Sequence, residues 1–210
     1  MTKSACIHPF SKSAIKSAVG ILRQGGIVAF PTETYYGLAV DPLNPEALRR
    51  LFAVKKRTTQ KPILTVVNGR EQLTLLVRDI PPLFRSLMDR FWPGPLTLIF
   101  KGSQNLPPLL TANTGTIGIR WSSHQVACRL AANFGGAVTA TSANLSGGKP
   151  AVTAAESYLY FGAEIDLVID GGTTPGGRGS TLIGIEQGRL QLLREGVIPF
   201  ADIVAACQGS

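Results

Sequence analysis

The 210-residue sequence predicts an α/β fold: a single twisted sheet of mixed parallel and antiparallel strands flanked by helices, in one domain over residues 1–210. Three observations predict it. Short apolar runs such as "IVAF", "ILTVV", "LTLIF" and "DLVID" alternate with segments of helical spacing. Strand signals cluster late in the chain, which adds antiparallel ribbons to the earlier crossover units. A 44% hydrophobic content at this length fills one sizeable core, and 23 glycines and 14 prolines spread between periodic segments mark turns, not disorder.

Each element has a local reason. Residues 13–23 place Ala14, Ile15, Ala18, Val19 and Leu22 on one helical face, and Gly25-Gly26 ends it. "IVAF" (27–30) is a buried strand stopped by Pro31. Asn44 followed by Pro45 is a cap and a first-turn proline, so a helix follows with Leu48, Leu51 and Phe52 on its apolar face. "ILTVV" (63–67) is a strand, and 71–77 and 82–91 are helical. "LTLIF" (96–100) and "TIGIR" (116–120) are strands, 125–133 is a helix, and "AVTAT" (137–141) is one short strand. Helix 153–161, strand "DLVID" (166–170), strands "STLIGI" and "RLQLLR", and helix 200–207 complete the chain.

The formal net charge of +8 favours an anionic partner: nucleotide, nucleic acid or acidic membrane surface. The basicity is concentrated. No acid falls between Glu46 and Glu71, a tract that holds Arg49, Arg50, Lys55, Lys56, Arg57, Lys61 and Arg70. The three cysteines, Cys6, Cys128 and Cys207, form no CxxC pair, and His8 and His124 complete no zinc spacing. Reduced thiols and a cytoplasmic location are expected. The N-terminus is too polar for a signal peptide, and no apolar stretch approaches the ~20 residues of a membrane span.

Four segments carry candidate chemistry. Lys55 follows Leu51 and Phe52 on the same helical face, at the helix end, so its long side chain is expected to leave the core and enter a cleft. Lys56 points elsewhere, and Arg57 lies in the turn beyond. "FPTETYYGLAVD" (30–41) sets Thr32, Glu33, Thr34, Tyr35 and Tyr36 at a strand's carboxyl end, where open α/β sheets place ligands. "ATSANLSGGKP" (140–150) offers Thr141, Ser142, Asn144 and Ser146 beside glycines that let backbone N–H groups approach phosphate. "GGTTPGGRGST" (171–181) fails the phosphate-loop pattern because Arg178 and Gly179 stand where Lys and Ser/Thr belong. It reads as a lid or a turn between two strands, with Ser180 and Thr181 as contacts. His124 reads as a helix cap and Cys128 as a core residue; no Ser/His/Asp arrangement is evident.

"PTETYYGL", Lys55-Lys56-Arg57, "WPGPLT", "TIGIR", "TSANLSG", "GSTLI" and "LLREG" occur in this order. Together they resemble the YrdC/Sua5 family of threonylcarbamoyl-AMP synthases over roughly residues 15–200. The resemblance implies a YrdC-like fold with a basic concave cleft. It implies a nucleotidyltransferase that makes threonylcarbamoyl-AMP and pyrophosphate from L-threonine, bicarbonate and ATP, for N6-threonylcarbamoyl modification of tRNA adenosine 37. Carried over residue by residue, Lys55 and Arg57 are catalytic, and Arg57, Lys61, Thr116, Arg120, Ser142, Asn144 and Arg194 bind ATP. Thr34, Tyr36 and Ser180 bind threonine. Mg2+ arrives with ATP, held mainly by its phosphates with Ser142 and Asn144 as protein contacts. Downstream partners are the threonylcarbamoyl-transfer proteins and tRNA, with RNA binding on the basic face. The sequence departs from the family pattern at Thr58, Val66 and Ala151, where proline, histidine and a hydroxyl residue are common. The competing readings are a non-catalytic double-stranded RNA or tRNA-binding module of the same fold, and a carbamoyl-adenylate-forming domain of the hydrogenase-maturation type.

Overall fold

The computed structural model describes residues 6–208. The chain begins with β1 (Cys6–Pro9), α1 (Lys12–Arg23) and the hairpin of β2 (Val28–Pro31) and β3 (Tyr36–Ala39). There follow α2 (Pro45–Lys55), β4 (Thr65–Val67), a 3-10 helix over Arg70–Leu75, α3 (Pro82–Phe91) and β5 (Leu96–Lys101). The middle contains α4 (Pro108–Thr111), β6 (Thr116–Trp121), α5 (Gln125–Phe134), β7 (Val138–Thr139) and β8 (Thr141–Ser142). The last part runs α6 (Ala154–Phe161), a second 3-10 helix over Gly162–Glu164, β9 (Leu167–Asp170), β10 (Thr181–Glu186), β11 (Arg189–Arg194) and α7 (Phe200–Gln208).

Local chemistry sets the helix starts. The Ser11 hydroxyl accepts from Ala14 N at 3.1 Å to cap α1. Asn44 Oδ1 accepts from Glu46 N and Ala47 N at 3.0 and 3.1 Å ahead of α2. Each such cap contributes about 1 kcal/mol. The imidazole of His124 accepts from Val126 N at 3.2 Å, so it caps α5 as the sequence suggests. α2 ends where Lys56 turns left-handed at φ 49°, and Arg57 N donates back to Phe52 O at 3.0 Å.

The class and the mixed pairing are as expected, but the strands divide between two sheets instead of forming one. The first sheet has the order β1-β9-β2-β3-β8 and the second β11-β10-β5-β6-β4-β7. β1 pairs in parallel with β9, which brings His8 opposite Ile169. β2 and β3 are antiparallel, so residues 32–35 form a hairpin turn. β5 lies parallel to β10 and antiparallel to β6. The segment 137–141 is not one strand. β7 pairs with β4 in the second sheet and β8 with β3 in the first, and Ala140 carries the chain between them. The segment predicted helical at 71–77 is a 3-10 helix.

The main core joins both sheets to α2, α3 and α7 through residues such as Leu48, Phe84, Phe100, Ile119 and Ile203. A second cluster packs α1 and α5 on the first sheet through Ile15, Leu22, Phe30, Leu130 and Ile169. Among the described residues no helix is long and apolar enough to cross a membrane.

Candidate active site

A cleft of about 620 Å³ is lined from both sheets. The first sheet supplies the hairpin turn and β3, with Thr34, Tyr36 and Gly37, and also Ser142 from β8. The second supplies Ile99, Thr116, Gly118, Arg120, Leu182 and Arg194. Arg57 and Lys61 enter from the loop after α2, and Gly179 and Ser180 from the strap that follows β9. Four cations and no carboxylate are among the lining residues.

The turn is built by hydroxyl chemistry. Thr32 Oγ1 donates to Tyr35 O at 2.8 Å and lies 3.1 Å from Thr34 Oγ1. Arg120 Nη1 donates to Thr34 Oγ1 at 3.3 Å. The strap is tied to this turn. Gly176 N donates to Thr34 O at 2.9 Å, the Tyr35 hydroxyl donates to Gly177 O at 2.7 Å, and the Tyr36 hydroxyl donates to Gly172 O at 2.8 Å. Burial, with Asp170 nearby, pushes Tyr36 up to about 12, so it stays protonated. At the other end of the strap Arg194 donates to Ser180 O at 2.8 and 3.2 Å, and Ser180 Oγ lies 2.7 Å from Thr97 Oγ1.

The cations are held in unlike ways. Arg57 folds back to donate to Pro62 O at 3.0 Å and Lys61 O at 3.3 Å. Its buried Nε has no partner. Burial lowers the pKa of Arg57, Arg120 and Arg194, and Glu33 partly restores that of Arg120. All three keep their charge, since an arginine begins far above neutrality.

The sequence-predicted residues separate into two groups. Arg57, Lys61, Thr116, Arg120, Ser142, Arg194, Thr34, Tyr36 and Ser180 come together around the cleft. Lys55 and Asn144 are not among the lining residues. Lys55, 2% exposed, does not reach into the cleft as its helical phase suggests. Its Nζ donates to Asn144 O at 2.8 Å and to Ser142 O, and Ser146 N returns a bond to Lys55 O at 3.1 Å. Asn144 is spent inside its own loop. Nδ2 donates to Leu145 O at 2.8 Å and Gly148 O at 2.6 Å, while Oδ1 accepts from Ser142 Oγ at 2.5 Å. The two motifs are therefore one structural unit: the end of α2 clamps the loop that presents Ser142.

The surface arginines of the basic tract have acidic partners. Arg49 pairs with Glu46, Arg50 with Asp166 at 2.6 Å, and Arg70 with Asp89 at 2.6 Å. Of the family departures, Val66 is buried in the core under α1 and α5, and Ala151 is buried in the main core. Lys149 is exposed and does not line the cleft. Two site features escape the sequence reading. Glu33, which backs Arg120, is named there only as one polar residue of a loop. Gly118 lies on the cleft floor, where a Cβ would sit 2.4 Å from Leu64 Cδ2. A lone glycine in the otherwise β-branched run "TIGIR" is the signal that could have found it.

A family model for Sua5, YciO and YrdC, described as "Telomere recombination", matches residues 20–196. A Pyrococcus abyssi relative named threonylcarbamoyl-AMP synthase is 38% identical over 90% of this chain and 56% of its own length. One of the same name from Thiobacillus denitrificans is 41% identical over 80% of this chain and 89% of its own. A crystal structure of P. abyssi Sua5 complexed with L-threonine superposes with a TM-score of 0.93 at 34% identity, covering 96% of this chain and 61% of that one. The chain thus spans little more than half the length of the P. abyssi relative. With the family model covering most of its length, the chain belongs to the Sua5/YciO/YrdC family.

Proposed function

We propose that the chain is a threonylcarbamoyl-AMP synthase, joining L-threonine, bicarbonate and ATP into threonylcarbamoyl-AMP and pyrophosphate. One observation carries the reading. Arg57, Lys61, Arg120 and Arg194 converge on one cleft with no lining carboxylate, and the buried Arg57 Nε lacks a partner. Four cations around one cleft with no lining carboxylate are matched by a polyanionic ligand. The relatives in P. abyssi and T. denitrificans bear the name of this activity.

The amine of threonine adds to CO2 released from bicarbonate and loses a proton, giving a carbamate. A carbamate oxygen attacks the α-phosphorus, and the bond to the β-phosphate oxygen breaks to release pyrophosphate. Both reactants are anions. The cations of the cleft offset their repulsion and hold charge that develops on the leaving group. No side-chain nucleophile is needed, so holding the reactants together supplies much of the rate. Thr34, Tyr36 and Ser180 form the threonine side. Tyr36 acts there as a neutral wall and strap anchor, because its raised pKa excludes a role as base near neutrality.

The donor set fits a metal that comes with its nucleotide. Among the described residues no group of three His, Cys, Asp or Glu could hold an ion. The proton of Ser142 is committed to Asn144 Oδ1, which leaves its lone pairs for a cation. Ser142 would therefore contact Mg2+ held mainly by ATP, and Asn144 would act by orienting it. Bound there, Mg2+ would neutralise phosphate charge. The adenylate would pass to threonylcarbamoyl-transfer proteins acting on tRNA, and a cytoplasmic location fits the use of ATP and two free thiols, Cys128 and Cys207. Pyrophosphate release assayed with each substrate omitted in turn tests the proposal. Release that needs all three supports it, and release without threonine overturns it.

A further inference from the structure

Three sequence motifs, "WPGPLT", "GSTLI" and "LLREG", meet at one buried residue. Thr181, a contact in the sequence reading, is 0% exposed and is not among the residues that line the cleft. Ser180 before it and Leu182 after it do line the cleft. Thr181 opens β10, pairs in parallel with Leu96, and donates its N–H to Pro95 O at 3.0 Å. The antiparallel pairing of β10 with β11 ends at Leu182 and Arg194, one residue short of Thr181. Past that pair the Thr181 hydroxyl replaces the ladder. Its Oγ1 donates to Ile198 O at 2.6 Å and accepts from Gly196 N at 3.0 Å and Ile198 N at 3.1 Å. A hydroxyl has one proton and two lone pairs, so this one is fully used and has nothing left for a ligand.

The turn that it holds, residues 196–198, presses on the end of the strap. Val197 N donates to Gly179 O at 2.9 Å. A Cβ on Gly196 would lie 2.2 Å from Gly179 O and 2.5 Å from Ser180 C, so glycine is what lets the two segments come this close. On the cleft side Arg194 donates to Ser180 O, and its Nη2 lies 3.3 Å from Ser180 Oγ. Ser180 and Arg194 are thus set against each other from behind, by a hydroxyl that faces neither solvent nor cleft.

We propose that Thr181 is a positioning residue: by tying the turn 196–198 to the start of β10, its hydroxyl sets Ser180 and Arg194 in place at the cleft. This deepens the proposed function, on which the assignment of Ser180 to threonine and of Arg194 to ATP rests. Its consequence is that one group touching neither substrate governs the affinity for both.

The test compares Thr181→Val, which keeps the shape and removes the hydroxyl, with Thr181→Ser, which keeps the hydroxyl. KM for L-threonine and KM for ATP, each at saturating levels of the other substrates, should both rise about tenfold in Thr181→Val, the scale of one weakened hydrogen bond per substrate. The change in kcat should be smaller. Thr181→Ser should restore most of both affinities. A merely destabilised fold would lower the active fraction and leave both KM values unchanged, and that result would overturn the proposal. So would a Thr181→Ser variant as weak as Thr181→Val. A second readout needs no turnover. Arg178 is exposed in the strap, next to Gly179, so trypsin should cut after Arg178 faster in Thr181→Val than in the wild type or Thr181→Ser, with other sites unchanged. Equal cleavage in all three proteins overturns the tie. If Thr181→Val does not fold, Gly196→Ala, whose Cβ would push on Gly179 and Ser180, is read in the same two ways with the same deciding outcomes. A wild type with no threonine-dependent turnover refutes the proposed function separately, and the trypsin comparison then decides whether Thr181 holds the strap.

Discussion

Replacing Lys55 by methionine asks whether this buried lysine holds a loop or touches a ligand. Methionine keeps the unbranched stem at a position 2% exposed and removes only the ammonium. Two bonds are lost, to Asn144 O at 2.8 Å and to Ser142 O. Ser142 O keeps the Asn144 N–H at 3.0 Å, so Asn144 O is the acceptor stripped of its donor. A buried acceptor left unmade costs about 1–3 kcal/mol. Relief from burying an amine offsets part of that, which leaves a net loss of about 1–2 kcal/mol near neutral pH. The loss should depend on pH. Burial first, and the nearby Arg57 second, pull Lys55 down to about 7 from an ordinary 10.5. Below about 7 both folded and unfolded chains bind the proton, and the fold carries a buried charge. Between about 7 and 10.5 the unfolded chain keeps a proton that the folded chain has released, so wild-type stability rises with pH in that window. Lys55→Met lacks this rise, and the gap between the two proteins should widen. Urea unfolding of both at pH about 6 and about 9 measures it. Equal stability at both pH values, together with a loss of turnover, would refute the reasoning and return Lys55 to the ligand.

Arg57→Ala should fold normally and lose ATP use, since a charge-assisted contact worth ~1.5–3 kcal/mol disappears; initial rates of pyrophosphate release against ATP concentration measure it, and unchanged kinetics would remove Arg57 from the site. Asn144→Ala should lower turnover by freeing the Ser142 hydroxyl and should speed limited proteolysis within residues 144–150, because the bonds to Leu145 O and Gly148 O close that loop. Full activity with a tight loop would make Asn144 dispensable. Lys56→Gly should raise stability by up to ~1 kcal/mol and leave activity unchanged, since Lys56 sits at a left-handed φ of 49° outside the cleft; a thermal melt decides it.

The helices were legible because their signals are local. Asn44 with Pro45, and the spacing of Ala14, Ile15, Ala18, Val19 and Leu22, report a start and a buried face without reference to anything distant. Sheet membership is not local. Nothing within "AVTAT" says that Val138 pairs with Val66 while Thr141 pairs with Leu38. Lys55 shows the same limit at the site. Helical phase identified its face correctly, but what lies across that face is the loop at Ser142–Asn144, brought there by the tertiary fold. The acid-free tract is a local feature in the same sense. Arg50 and Arg70 meet Asp166 and Asp89, acids from other parts of the chain. Most of the cleft residues were found because a family pattern records which distant segments converge; Glu33 and Gly118 show that periodicity alone does not.

The passage of the chain through Ala140 has a mechanical consequence. β7 belongs to one sheet and β8 to the other, and Ala140 N is tied to Leu64 O at 2.7 Å at the base of the cleft. One residue spans no more than about 3.8 Å between successive Cα atoms, so the two walls are riveted to each other where they meet. The walls cannot part at their base without breaking strand pairs in both sheets, so any widening of the cleft turns about Ala140. The loop that follows β8 and the glycine-rich strap before β10 stand at the lips of the cleft, on either side of this fixed junction.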